Sequence, residues 1–469
     1  MKLHLLFVML VLAVLLIGCG DDASDLPAVH VIPTVKPPKE EVTSKAEIPS
    51  LDGLKVTRYR TGEVWSKGNI LNGVRSGIWT THWQNSKEMF SLGSYEKGQR
   101  EGSWKFFFES GAMESEGAFE DGQRQGVWRY FYEDGQLKCS GAYHTGNRQG
   151  AWVYHHPNGD ERMAGAFAGG EKQGLWRGSF IGGLSAWTGT YDGGERTGFW
   201  VWFHRNGEKW KEGAFAEGDE VGLWTRFSSG SKHWEAEYAG GKLEGNWIMF
   251  YPDGEKMEMG QHVKGERSGD WVTFHPGGGK MSEGRYEKGQ AEGRWIIWDD
   301  TGQITADGTY QRGRKEGTWK TFWPNGLTKV IEDFRDGLSH GPHKSYRKDA
   351  TLEEQGNQEQ GVRVGLWTSF HPNGAQSSKG RYDGSERMGR WVMTDESGKK
   401  VTEGHYRHSA RVGTWTRFEN GHSRFSFNHD PIGELHRCCY WDDAHSLDEG
   451  LSGLYKGGTR VAALDAVDR

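Results

Sequence analysis

From residue 126 to residue 152 the chain reads GVWRYFYEDGQLKCSGAYHTGNRQGAW, and its apolar residues fall into short groups closed by glycines. The groups are 4–6 residues long and rich in Trp, Phe, Tyr and Val. No apolar stripe at i, i+3, i+4 and i+7 persists, so the pattern excludes an amphipathic helix. The recurring glycines would also cost a helix roughly 1 kcal/mol each. The groups therefore predict short β-strands. The turn residues agree. His156-Pro157-Asn158-Gly159, Tyr251-Pro252-Asp253-Gly254, Trp323-Pro324-Asn325-Gly326 and His371-Pro372-Asn373-Gly374 share one chemistry. Pro pre-sets φ, Asn or Asp tolerates the next position, and Gly takes the left-handed conformation after it. That is a type I turn with a G1 bulge, closing a hairpin. The other connection, of the form Tyr143-His144-Thr145-Gly146-Asn147-Arg148-Gln149-Gly150, is expected to be longer and polar.

The hairpin recurs. Trp128, Trp152, Trp176, Trp200 and Trp224 lie 24 residues apart. The series also takes in Trp79, Trp104, Trp247, Trp271, Trp295, Trp319, Trp367, Trp391 and Trp415, with a gap at His343. Each Trp follows a Gly by two places, as in Gly102/Trp104, Gly126/Trp128, Gly150/Trp152, Gly198/Trp200, Gly293/Trp295 and Gly317/Trp319, and these pairs are the expected structural positions. Residues 54–77 form a degenerate first copy with Lys55 in the Trp position. Trp79 to Trp104 is one residue longer than the period and Trp224 to Trp247 one shorter, both at a turn, where such a change leaves strand parity intact. A fixed period of this length decides the fold. It predicts an all-β chain: an elongated, single-layer antiparallel meander of about fifteen to sixteen 24-residue hairpins and roughly thirty strands, with a small C-terminal cap. Two points stay open. The Gly before each Trp either has positive φ or lies under an aromatic ring. Trp at position 0 and Phe at +3 have opposite parity, so either both faces carry aromatics or a bulge after the Trp brings them together.

Composition refines this picture. A mean hydropathy of -0.78 and 71 glycines lean towards disorder, but 23 Trp, 21 Phe and 16 Tyr placed periodically mean thin, ordered structure. The net charge is -6 with both signs interspersed, which excludes the basic patch of a nucleic-acid binder. Met1-Lys2, the apolar run Leu3 to Ile17 and Gly18-Cys19 have the form of a signal peptide. The run is short for a membrane span. Residues 1–18 are thus expected to be removed. Residues 19–53, with Pro27, Pro33, Pro37 and Pro38 among charges, read as a tether able to reach on the order of 90 Å. Residues 54–430 are the array and 431–469 the cap.

Gly-x-Trp-x-x-Phe, Asn-Gly, Glu-Gly-x-Tyr and Gly-x-x-x-Gly at this period resemble the MORN-repeat variant of bacterial proteins, over residues 54–430. The resemblance implies antiparallel sheets used in scaffolding and membrane-proximal assembly, with no shared catalytic residues; some such proteins carry an antitoxin label. Leu16-Ile17-Gly18-Cys19 resembles a bacterial lipobox, which implies that Cys19 is the lipidated N-terminus.

Candidate chemistry is sparse. His156, His204, His275 and His371 each follow a Trp by four places and read as turn-flanking aromatics rather than a metal ladder. His429, His436, Cys438, Cys439 and His445 match no metal-binding spacing; a disulfide is as plausible. Asp299-Asp300 and Asp442-Asp443, placed on strands, would point to opposite faces and make poor acid/base pairs. Two copies depart from the pattern. Trp176-Arg177-Gly178-Ser179 is diluted by glycine, and the copy at 341–361 has lost its Trp at Gly341-Pro342-His343, as a decayed repeat, a hinge or a partner-specific patch. The expected function is non-enzymatic: a lipid-anchored envelope scaffold, held to the membrane by its N-terminal lipid, binding an envelope protein or glycan and no nucleic acid, small-molecule substrate, metal or other cofactor. The alternatives are glycan binding through exposed Trp rows and a toxin-neutralising role.

Overall fold

The computed structural model describes residues 52–84, 86–419, 422–429, 436–441, 447–456 and 459–463, with side chains as far as residue 423. The signal segment, Cys19, the tether and the side chains of the C-terminal His and Cys residues lie outside this description. Among the described residues all thirty-five elements are β-strands. They fall into two compact units, one ending at Gly159 and one starting at Asp160.

The first unit holds β1 (Gly53–Arg58), β2 (Val64–Leu71), β3 (Val74–His82), β4 (Met89–Glu96), β5 (Gln99–Phe107), β6 (Met113–Glu120), β7 (Gln123–Phe131), β8 (Leu137–His144) and β9 (Asn147–His155). Each pairs antiparallel with the next in sequence. The second unit runs from β10 (Glu161–Ala168) to β35 (Thr459–Ala463) under the same rule. The fold is the expected antiparallel meander of hairpin repeats. Its last strands, β33 (His436–Trp441), β34 (Leu447–Lys456) and β35, continue the pairing into residues 431–469.

The strands β6, β7 and β8 show how one repeat is built. The first turn matches expectation: Tyr132 N–H donates to Gln136 O at 2.8 Å, Gly135 N–H donates to Tyr132 O at 2.9 Å, and Gly135 has φ 87°. The second connection is a correction. It is a tight two-residue turn, with Thr145 at φ 46° and Gly146 at φ 80°. Two left-handed residues in succession match the twist of the flanking strands, which explains why this turn suits a hairpin. Asn147 to Gln149 are already in β9, and the glycine that seemed to end the connection, Gly150, lies inside the strand. For the same reason most strands are eight or nine residues long instead of 4–6.

Pairing of β6 with β7 jumps from Glu116↔Arg129 to Ala118↔Gln125. Gly126, Val127 and Trp128 therefore stand against the single residue Gly117. The extra residues form a bulge, and Gly126 carries it at φ 66° with nothing near the position of a Cβ. Positive φ, and no covering ring, is thus the reason for the Gly two places before each Trp. The ring lies on the other strand. A Cβ on Gly117 would fall well inside 3.0 Å of the Trp128 indole. The bulge also settles the parity question. It precedes the Trp, so the partner on the buried face is the aromatic at +2: Trp128 is 0% and Tyr130 5% exposed. The +3 residue, Phe131, is half-buried beside the turn. The two irregular spacings do fall at turns. Between β3 and β4 the closing bond spans Trp83 to Glu88, one residue more than usual. Between β15 (Asp219–Ser228) and β16 (Ser231–Ala239) the turn shrinks to Ser229 and Gly230.

Candidate interaction surface

The aromatic face is a closed packing system. Every series Trp but Trp247 rests on the glycine eleven residues before it, as Trp104 on Gly93, Trp152 on Gly141, Trp200 on Gly189 and Trp319 on Gly308. In all of these but Trp295 the indole N–H donates to the carbonyl ten residues before it: Trp128 to Ala118 at 3.0 Å, Trp152 to Ala142 at 3.1 Å, Trp319 to Thr309 at 2.9 Å. Between successive indoles stands an aromatic ring edge-on. In the first unit the order is Trp79, Tyr95, Trp104, Phe119, Trp128, Tyr143, Trp152. Such pairs contribute about 0.5–1.5 kcal/mol each beyond their burial. A third anchor is a cation four residues before the Trp. Arg75, Arg100, Arg124, Lys172, Arg196, Arg267, Lys315, Arg363, Arg387 and Arg411 each stack on their own indole at 4.0–5.2 Å. These cations are legible in the sequence as an Arg or Lys repeating at one phase of the period. Trp224, Trp247 and Trp295 lack this cation, with Glu220, Leu243 and Ala291 in its place, and the Trp295 indole nitrogen is buried without a hydrogen-bond partner. Gly102, Gly150, Gly198, Gly293 and Gly317 all have positive φ. The series indoles other than Trp247 and Trp295 are 0–3% exposed over glycine backbone and offer no stacking face to a sugar.

Two of the four turn histidines have a mechanical job. His275 Nε2 donates to Trp298 O at 3.0 Å and His371 Nε2 to Thr394 O at 2.7 Å, each reaching the next repeat. Tyr59, Trp83, Tyr132, Tyr251, Trp323 and Arg347 make the same bond from the same position. In these copies the position holds a long side chain with a donor at its tip, imidazole being one solution, while other copies hold Phe108, Phe180, Asp299 or Asp395 there. Among the described residues no group of three or more His, Cys, Asp or Glu is arranged to hold a metal. Asp299 lies in a turn and not on a strand. Its carboxylate accepts from Thr301 Oγ1 at 2.6 Å and from the Gln303 N–H at 3.0 Å, and these bonds hold it below the usual carboxylate range.

The irregular copies are compensated exchanges. Gly178 stands where an aromatic is usual because Trp187, on the next strand, fills that space; the glycine is filled, not a dilution. At His343 the Trp is gone, and so is its glycine: the opposing residue is Glu332. Imidazole plus carboxylate occupies the room of indole plus hydrogen. His343 Nδ1 lies 3.5 Å from Glu332, and Ser339 Oγ donates to the same carboxylate at 3.1 Å. The His343 hydrogen bond leads the causes that hold Glu332 below the usual carboxylate range. The hairpin itself is intact, with β25 (Leu338–Tyr346) paired to β26 (Leu352–Glu359). An open cleft of about 630 Å³ borders this copy, lined by His340, Asn357, Glu359, Arg381 and Asp383 among others.

The bulge that fixes Gly and Trp throws the residue between them outward. Ile78, Val127, Leu175, Phe199, Leu223 and Leu366 are 52–67% exposed there. In other copies the same exposed place holds Ser103, Ala151, Asn246, Asp270, Arg294, Thr318 or Arg390. Within this one chain the buried positions repeat and the outward position varies.

Residues 100–121 and 124–144 match the family model described as MORN repeat variant. No curated protein matches the chain. Among solved structures it is similar to the Photorhabdus luminescens Tc holotoxin pore, at 8% identity and a TM-score of 0.15, over 85% of this chain and 26% of that one. It is similar also to TcdB2-TccC3 without its hypervariable C-terminal region, at 8% identity and a TM-score of 0.12, over 84% and 27%. The chain spans about a quarter of the length of these structures, and scores of this size carry no argument. The two matched copies have the same glycine, indole and turn geometry as the hairpins around them, and those copies are similar to MORN repeats of the variant type.

Proposed function

We propose that this chain is a non-enzymatic interaction scaffold, anchored in the cell envelope by a lipid on Cys19, whose rigid repeats present a row of outward residues to an envelope protein. The observation that carries this is the division of labour within each repeat. Gly, Trp, ring and cation are spent on packing, while the residue between Gly and Trp is exposed and changes from copy to copy. In the second unit the row is apolar at Leu175, Phe199 and Leu223 and polar from Asn246 to Thr318, so one stretch is set apart as a contact surface. Exposed apolar side chains held on strands cost little entropy on binding, which favours a preorganised protein partner.

Two results test the halves of this proposal separately. Cys19→Ser is expected to move the protein from the membrane fraction to the soluble fraction; unchanged fractionation refutes the lipid anchor. For the surface, the mature chain is used in pull-downs from the native envelope. A Leu175→Asp/Phe199→Asp/Leu223→Asp variant is expected to keep its circular dichroism and lose its captured partner by tenfold or more. Undiminished capture refutes that surface.

A further inference from the structure

The repeat around Trp247 breaks three rules at once. Its glycine is replaced by Ala236, which is fully buried. A methyl group there forbids the flat indole seat used elsewhere. Leu243 stands where a cation is usual. The Trp247 indole is displaced accordingly, and its N–H donates forward to Glu258 Oε1 at 3.0 Å instead of back to a carbonyl. On the next strands Arg267 Nη2 binds both oxygens of Glu258, at 3.1 and 3.0 Å, and its guanidinium stacks on Trp271 at 4.0 Å. The ring between these two indoles, Tyr or Phe in most copies, is His262. It stands edge-on to Trp247 at 5.7 Å and to Trp271 at 5.2 Å, and it is 9% exposed. Its Nδ1 is buried with no hydrogen-bond partner.

We infer that β17 (Lys242–Phe250), β18 (Lys256–Val263) and β19 (Glu266–Phe274) form an acid-sensitive joint, closed at neutral pH and opened by protonation of His262. The charges around the imidazole set the direction. On β19 its register partner is Arg267, already a cation. On β18 the one buried carboxylate, Glu258, is engaged by Arg267 and Trp247. On β17 Glu244 accepts the Lys264 N–H at the turn, and Lys242 is exposed beside that turn. Glu266 and Asp270 of β19 are exposed, and Glu237 of β16 accepts the Asn246 N–H. No carboxylate is left to receive a second cation, and the imidazolium gains solvent only if the strands part.

Burial, and then the neighbouring Arg267, push His262 down to about 4 from its ordinary 6.5. A histidine whose folded value is depressed contributes stability that is complete above the ordinary value. That stability is lost as pH falls towards the folded value, here from about 6.5 to about 4.

The test is hydrogen exchange of the full mature chain at pH 7 and pH 4.5, corrected for intrinsic rates. Amides of β17–β19 are expected to open on the order of 100-fold more at pH 4.5, from the shift integrated over that window. His262→Tyr restores the ring that stands edge-on to indoles at Tyr286 and Tyr310, keeps Glu258 and Arg267, and is expected to abolish this excess. An equal rise in the His262→Tyr variant, or an equal rise throughout β5–β8, overturns the inference.

Discussion

Gly117→Ala is expected to destabilise its repeat by about 3 kcal/mol, the upper part of the range for overpacking a filled site. The new methyl group would meet the face of Trp128, and that ring has nowhere to go. Phe119 and Tyr143 stand edge-on to it, Arg124 stacks on it at 4.7 Å, and its N–H is committed to Ala118. Losing that bond adds about 1 kcal/mol if the indole tilts away. Gly126→Ala is expected to cost less, about 1–2 kcal/mol, because the site is open and the penalty is only the left-handed backbone at φ 66°. The order of the two is the diagnostic. In a repeat array each copy contacts only its neighbours, so a global melting curve would average the loss away. Protection of β6, β7 and β8 amides against hydrogen exchange reads it locally. A Gly126→Ala variant damaged more than Gly117→Ala would mean that the indole does not sit where the packing requires.

Much of this was legible in the sequence, because the repeat compares the chain with itself. The period of Trp128, Trp152 and Trp176 gave the fold class and hairpin unit, and Pro157-Asn158-Gly159 gave the first turn. Position-level chemistry was harder. Gly126 and Gly117 look alike in sequence, yet one is glycine for its φ and the other for the ring above it; only the strand pairing separates them. The second turn is hidden in the sequence because Gly146 and Gly150 look like the two ends of one loop, whereas a left-handed glycine inside a strand ends nothing. Parity at Trp128 and Tyr130 depended on a bulge that no local propensity marks. The compensated exchanges at Gly178/Trp187 and Glu332/His343 were invisible for a different reason. Their partners lie on adjacent strands at offsets known only once the register is fixed. The outward residue Val127 is hidden in the sequence too, since a lone apolar residue beside a Trp reads as more core.

The pair at Glu332 and His343 gives the largest expected effect. It implies that the glycine and the indole are one packing unit, exchangeable only together. In the neighbouring copy that unit is Gly308 and Trp319, on β22 (Ile304–Gln311) and β23 (Arg314–Phe322), with Lys315 stacked on the indole at 4.2 Å. Trp319→His alone removes most of a ring that is 2% exposed and is expected to cost about 3–5 kcal/mol, as for other large-to-small core changes. Gly308→Glu alone drives a side chain into that ring and is expected to cost at least about 3 kcal/mol. Together they rebuild the Glu332/His343 arrangement, with the Lys315 ammonium at hand for the new carboxylate. The most direct measurement is this double-mutant cycle, read by hydrogen exchange of β22, β23 and β24 (Thr328–Arg335). The double variant is expected to be more stable than the sum of the two singles by about 2 kcal/mol or more, within the span seen for contacting residues. Additivity within about 0.5 kcal/mol, the behaviour of independent sites, would contradict the claim that Gly and Trp form a single packing unit.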